Sequence, residues 1–207
     1  MTVVHFHNSL FLIHNSIKME YTELKPGVVI VVEKQPYMVV ESEFLRMQQR
    51  KPVMKTRIKN LITGTIQERN FQHSEEIEEA EIEKISAQFL YQHKGEFWFV
   101  EKGNPKNRFK LEDDVLGNAK NFLKPNLEVS ALQFDERIFS IEMPIKIDYK
   151  VVEAPPAIKG NTAQGGTKMV VIETGAKIST PLFIGEGDII KVNTQTGEYT
   201  ERVEKSS

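Results

Sequence analysis

The sequence predicts an all-β protein built of three consecutive small β-barrels. Beyond Met19 nearly every periodic segment alternates with a period of two, and turn residues interrupt these segments at short intervals. Size is the third observation: the 207 residues divide into modules of roughly 60 to 80, the length of a five-stranded oligonucleotide-binding (OB) barrel.

The first module opens at Met19. Val28 to Val32 and Tyr37 to Glu41 are rich in β-branched residues and flank a polar turn, Glu33-Lys34-Gln35-Pro36. The second runs on as one arm of a hairpin, Pro36 to Phe44, whose other arm is Val53 to Leu61; Thr63-Gly64 then turns the chain into Ile66 to Phe71. Glu75, Glu76, Glu78, Glu79, Glu81 and Glu83 read as a solvated connection or strand edge, with the module boundary beside them. The second module places Ile85, Ala87, Phe89 and Tyr91 at alternate positions and turns through His93-Lys94-Gly95-Glu96 into Phe97-Trp98-Phe99-Val100. Alternation assigns these aromatics to the core, with base stacking as the competing reading. Between Asp113 and Lys124 the spacing predicts a short helix. Val115, Leu116, Ala119, Phe122 and Leu123 share one side, Asp113 is the cap and Pro125 follows the end. Leu127 to Phe134 and Ile138 to Met143 form another hairpin across Asp135-Glu136. Glu153-Ala-Pro-Pro-Ala lies just inside the third module, whose strands include Met169 to Glu173, Ile189 to Asn193 and Tyr199 to Val203. The expected domains are 19–82, 83–147 and 148–207, after a disordered extension at 1–18.

Composition excludes several classes. A net charge of −2 with 40% hydrophobic residues describes an ordinary soluble protein. With no cysteine there is no disulfide framework, thiolate zinc site or cysteine nucleophile, which fits a reducing, cytoplasmic compartment. The apolar runs are too short to cross a bilayer. No P-loop, dinucleotide glycine pattern or nucleophile elbow is present, and His73 and His93 have no motif partners, so neither an enzyme nor a cofactor is expected. His5 and His7 lack carboxylate or thiolate company and are read as incidental, so no metal is expected. Residues 1–18 carry Leu10-Phe11-Leu12-Ile13 and a single charge, Lys18; that run is shorter than a signal-peptide core. Both Met1 and Met19 stand as starts of translation.

Function is legible in one segment. From Phe44 to Gln67 the chain carries Arg46, Arg50, Lys51, Lys55, Arg57 and Lys59 and no acidic residue. Cations gathered on one surface of a balanced chain point to a polyanionic partner, because Lys and Arg gain affinity by displacing counterions from phosphates. Arg46-Met-Gln-Gln-Arg-Lys-Pro52 is the hairpin tip. Along the second arm Lys55, Arg57 and Lys59 share one face, and Met54, Thr56 and Ile58 the other. Edge-strand protection by lysines explains the arm alone, but does not require Arg50 and Lys51 at a turn. Contact with nucleic acid is the reading that covers both.

Ordered matches over Met19 to Val203 resemble the bacterial elongation factor P family. They are Leu24-Lys-Pro-Gly-Val, Glu41-Ser-Glu-Phe44, Lys59-Asn-Leu-Ile-Thr-Gly-Thr65, Phe89-Leu-Tyr-Gln-His-Lys-Gly-Glu-Phe-Trp98, Gly117-Asn-Ala-Lys120, Pro156-Ala-Ile-Lys-Gly-Asn-Thr162, Glu173-Thr-Gly175, Thr180-Pro-Leu-Phe183 and Asn193-Thr-Gln-Thr-Gly-Glu-Tyr-Thr-Glu-Arg202. The resemblance implies an SH3-like, KOW-type first barrel, two OB barrels and an elongated, L-shaped, tRNA-like monomer. It implies a non-enzymatic translation factor on the ribosome beside peptidyl-tRNA. There the hairpin tip reaches the CCA end and promotes bonds at consecutive prolines, by positioning that lowers the entropic part of the barrier. Arg46, Gln48, Gln49, Arg50, Lys51, Lys55, Arg57 and Lys59 would meet the CCA end and acceptor stem. Gly160, Asn161 and Thr162 would approach messenger RNA and tRNA in the exit site.

The tip departs from the family's Pro-Gly-Lys-Gly, whose lysine is modified in many members. An ungapped alignment puts Gln49 in the lysine slot, with no glycine nearby. Three alternatives stand: Gln49 acts unmodified through its amide, Arg50 replaces the lysine as the reaching and modifiable cation, or a shifted loop presents Lys51. An unmodified tip stiffened by Pro52 is favoured. Met169 stands where the family often has proline, and a packing change confined to one strand is expected. The rivals are a divergent paralogue relieving other stalls and a general single-strand nucleic-acid-binding protein of tandem barrels.

Overall fold

The computed structural model describes residues 18–46, 51–156 and 166–206. The chain divides into two compact units, one ending at Glu81 and the other beginning at Ile82.

The first unit holds β1 (Lys18–Met19), β2 (Val29–Val32), β3 (Gln35–Leu45), β4 (Val53–Asn60), β5 (Ile66–Gln72) and β6 (Ile77–Glu78). Strands β2 to β5 form an antiparallel sheet in sequence order. The β2–β3 turn is tighter than expected: Glu33 and Lys34 alone make it, both at positive φ, and Gln35-Pro36 already belong to β3. Asn60 ends β4 by accepting the backbone N–H groups of Ile62 and Thr63 on its side-chain oxygen. The glutamate run resolves into a strand edge: Ile77 pairs with Met19, and the Ala80 N–H donates to the Val29 carbonyl at 2.9 Å. Ile77 and Ala80 are buried, so the run curls the sheet around a core of Leu24, Ile30, Val39, Ile58 and Phe71.

The second unit contains two five-stranded antiparallel sheets. The first is made of β7 (Glu83–His93), β8 (Glu96–Glu101), β9 (Asn104–Glu112), β10 (Glu128–Phe134) and β11 (Arg137–Glu142), in the order β11-β10-β7-β8-β9. The second is made of β12 (Lys146–Glu153), β13 (Thr167–Ile172), β14 (Lys177–Pro181), β15 (Ile189–Asn193) and β16 (Glu198–Glu204), in the order β14-β13-β12-β15-β16. In each sheet the two outermost strands approach one another, so it curls around its own apolar core.

The expected helix at 113–124 is broken. Asp113–Leu116 is one helical turn and Gly117–Phe122 a 3-10 segment, with Gly117 at φ 52° between them, a conformation that glycine adopts at little cost. Asp113 is not the cap but the first helical residue, and it pairs with Lys120. The break lets the segment serve both cores. Leu116 and Leu123 enter that of the first sheet, and Phe122 enters that of the second. The buried Tyr149 hydroxyl donates to the Phe122 carbonyl at 2.6 Å. Burial pushes its pKa up, helped by the charge of Glu173, so it stays a donor. Met169 pairs with Ser179 on the exposed side of β13, so the expected packing change at that position does not reach the core.

Candidate nucleic-acid interface

Strands β3 and β4 build the predicted hairpin, with Leu45 opposite Val53 as the last pair before the tip. Alternation along β4 is as expected: Met54, Thr56, Ile58 and Asn60 are buried, while Lys55, Arg57 and Lys59 are half-buried on the other face. Edge protection fails as an explanation, because β4 is an interior strand paired with β3 on one side and β5 on the other.

The cations on that face do not stand alone. A one-residue register shift between Val39 and Glu41 sets Glu41 opposite Arg57 and Glu43 opposite Lys55, and β5 brings Glu68 opposite Arg57 from the other side. The Arg57 guanidinium lies 2.8 Å from Glu41, and Lys55 Nζ lies 3.5 Å from Glu68. Glu41, Glu43 and Glu68 therefore share the face with Lys55 and Arg57, while Lys59, opposite Met38 and Ile66, makes no ion pair among the described residues, which corrects the expectation of a purely cationic ladder. These pairs are exposed, each worth about 0.2–1 kcal/mol and screened by salt, so a phosphate can displace a carboxylate. Towards the tip the balance changes. Arg46 and Lys51 are exposed and make no ion pair among the described residues.

Just below the hairpin tip Phe44 is 49% exposed and packs on Tyr21 at 6.2 Å, with His73 edge-on to the same ring at 5.9 Å. Beneath the cationic face, Thr56 Oγ1 donates to the Arg69 carbonyl at 2.8 Å and fixes the β4–β5 ladder. Gln48, Gln49 and Arg50 at the tip, and Gly160, Asn161 and Thr162 in the later loop, lie outside the described residues. Glu41, Glu43 and Glu68 went unread in the sequence because they lie on other strands and only the register brings them to the cations. Among the described residues no group of three or more His, Asp or Glu side chains could hold a metal ion.

Residues 20–77 match the family model described as Elongation factor P (EF-P) KOW-like domain, and residues 147–202 match the one described as Elongation factor P, C-terminal. Elongation factor P of Pseudothermotoga lettingae is 37% identical over 184 residues, which is 89% of this chain and 99% of that protein. This chain belongs to the elongation factor P family. Its counterpart in Moorella thermoacetica is 36% identical over 180 residues, 87% of this chain and 97% of that protein. The solved structure of eukaryotic translation initiation factor 5A from Methanococcus jannaschii covers 70% of this chain and 98% of its own at TM-score 0.51 and 12% identity, a likeness of fold.

As a member of the elongation factor P family, the chain is a translation elongation factor. The first family model spans the whole β3–β4 hairpin, and the second spans Gly160 to Thr162. No helix among the described residues is long and apolar enough to cross a membrane.

Proposed function

We propose that this elongation factor acts on the ribosome beside peptidyl-tRNA and speeds peptide-bond formation at consecutive prolines. The observation that carries the reading is the β3–β4 hairpin, whose cations Arg46 and Lys51, without an ion pair among the described residues, flank the tip while Lys55 and Arg57 further down are held by carboxylates. Arg46 and Lys51 then meet phosphate near the tRNA end directly, while along the acceptor stem Lys55 and Arg57 exchange carboxylates for phosphates and Lys59 adds a further contact. Gln48, Gln49 and Arg50 orient the CCA end, and Gly160, Asn161 and Thr162 approach messenger RNA and tRNA in the exit site.

The factor supplies position rather than chemistry, works as a cytoplasmic monomer without a cofactor, and needs no tip modification; Arg50 or Lys51 would carry one if it were present. The domain limits 19–82, 83–147 and 148–207 belong to the same proposal, supported by the separate apolar cores of the three curled sheets. The test is the rate at which a reconstituted ribosome system extends through three prolines with the unmodified recombinant protein, against a proline-free template. Acceleration confined to the proline template is expected. No acceleration on the proline template, or the same acceleration on both templates, would overturn the reading.

A further inference from the structure

The outer face of the β7–β8–β9 sheet carries an aromatic pair that this reading leaves unused. Phe89, Phe97 and Phe99 enter the core, but a register shift between Phe89 and Tyr91 inserts Leu90 as an extra residue and moves Tyr91 to the outside, opposite Trp98. The expectation that all these aromatics are core is corrected at Tyr91 and Trp98. Their rings are near-parallel, 22° apart with centroids at 6.3 Å, and Tyr91 is 48% exposed. On the edge strand β9, Lys110 Nζ sits 6.0 Å from the Trp98 ring. Arg108 lies opposite Val100 in the next row, and Lys106 is exposed among the extra residues between Asn104 and Arg108, where the register with β8 shifts.

Neither Arg108 nor Lys106 makes an ion pair among the described residues; of the carboxylates nearby, Glu96 is paired with Lys110, and Glu101 is held by the neutral side-chain amides of Asn104 and Asn107, which leaves two cations against one carboxylate at that end. Glu112 faces Glu96 at the opposite end of the patch, so the cationic end is that of Arg108 and Lys106. Strengthening of the sheet by a cross-strand pair requires neither the exposure of Tyr91 nor the unpaired cations. A flat aromatic surface next to unpaired cations has the composition of a base-stacking platform.

We propose that this face stacks one unpaired nucleotide of ribosomal RNA, with the base on Tyr91 and Trp98 and the phosphate on Arg108 and Lys106. Bases in duplexes are closed to such a platform, and ribosomal RNA presents single-stranded loops over a large surface. The inference rests on the ribosome-binding reading above.

The test is base-specific chemical footprinting and affinity measurement on ribosomes carrying peptidyl-tRNA, using the full chain. The wild type should protect an unpaired ribosomal base. Tyr91→Ala should lose that protection and bind roughly tenfold more weakly, the scale of one base–aromatic stack. Tyr91→Phe should behave as wild type, and Arg108→Gln should flatten the salt dependence of binding by about one phosphate contact. Thermal melting checks that each variant is folded. If Tyr91→Ala keeps the protection and the affinity, or if the lost protection lies in the tRNA, the inference is overturned while the ribosome-binding reading stands. If the wild type does not bind at all, both fall.

Discussion

The two long hairpins, β3–β4 and β7–β8, are built on one plan and put to different use. Each first strand is 11 residues long and carries a single extra residue, Val40 in β3 and Leu90 in β7. Each bulge exchanges the faces beyond it. In β3 it turns Glu41 and Glu43 onto the side of Arg57 and Lys55, where they offset the cations. In β7 it turns Tyr91 out of the core and beside Trp98. One backbone device thus moderates charge on one hairpin and exposes stacking surface on the other. What a bulge does depends on which residues stand beyond it.

The largest effect that could break the comparison is on stability. Phe99 is fully buried between Phe89 at 5.4 Å and Phe109 at 5.3 Å, so Phe99→Ala should cost about 3–5 kcal/mol in denaturant unfolding. Tyr91→Ala, outside the core, should cost about 1 kcal/mol or less. Equal costs would mean that Tyr91 is a core residue and that the bulge has no such role.

A smaller effect sharpens the charged side. Replacing Glu41 and Glu43 together by Gln should tighten ribosome association, and the logarithm of affinity should fall more steeply with the logarithm of salt, by about one to two phosphate contacts. An unchanged slope would show that the β4 face meets no phosphate. The smallest effect is the coupling of Arg57 with Glu41: a double-mutant cycle on stability should give about 0.2–1 kcal/mol. A coupling of several kcal/mol would make the pair a structural clamp that phosphates cannot open.

The hairpin was legible in the sequence because its signals are local. Alternation at Met54, Thr56 and Ile58, and turn residues such as Thr63-Gly64, depend only on near neighbours. Strand β12 also carries a period of two in Ile147, Tyr149 and Val151, a signal sufficient to find it. Strand β9 has little of that kind, since Asn104 to Arg108 reads as loop and only the pairing of Asn104 and Arg108 with β8 draws the segment into the strand. The bulges at Val40 and Leu90 were illegible for a related reason: a β-branched or aliphatic residue in a strand does not announce that its partner strand is one residue short. The break at Gly117 was written in the sequence as a glycine inside an apolar helical pattern, but the pattern outweighed it.

The most direct test of the account is to compare the wild type with a variant in which Gln49, Arg50 and Lys51 are all alanine, measuring triproline extension and ribosome affinity on the same preparations. The account predicts that acceleration is lost while folding stays intact and ribosome affinity changes little. A variant that accelerates as well as the wild type would contradict the assignment of function to the hairpin tip.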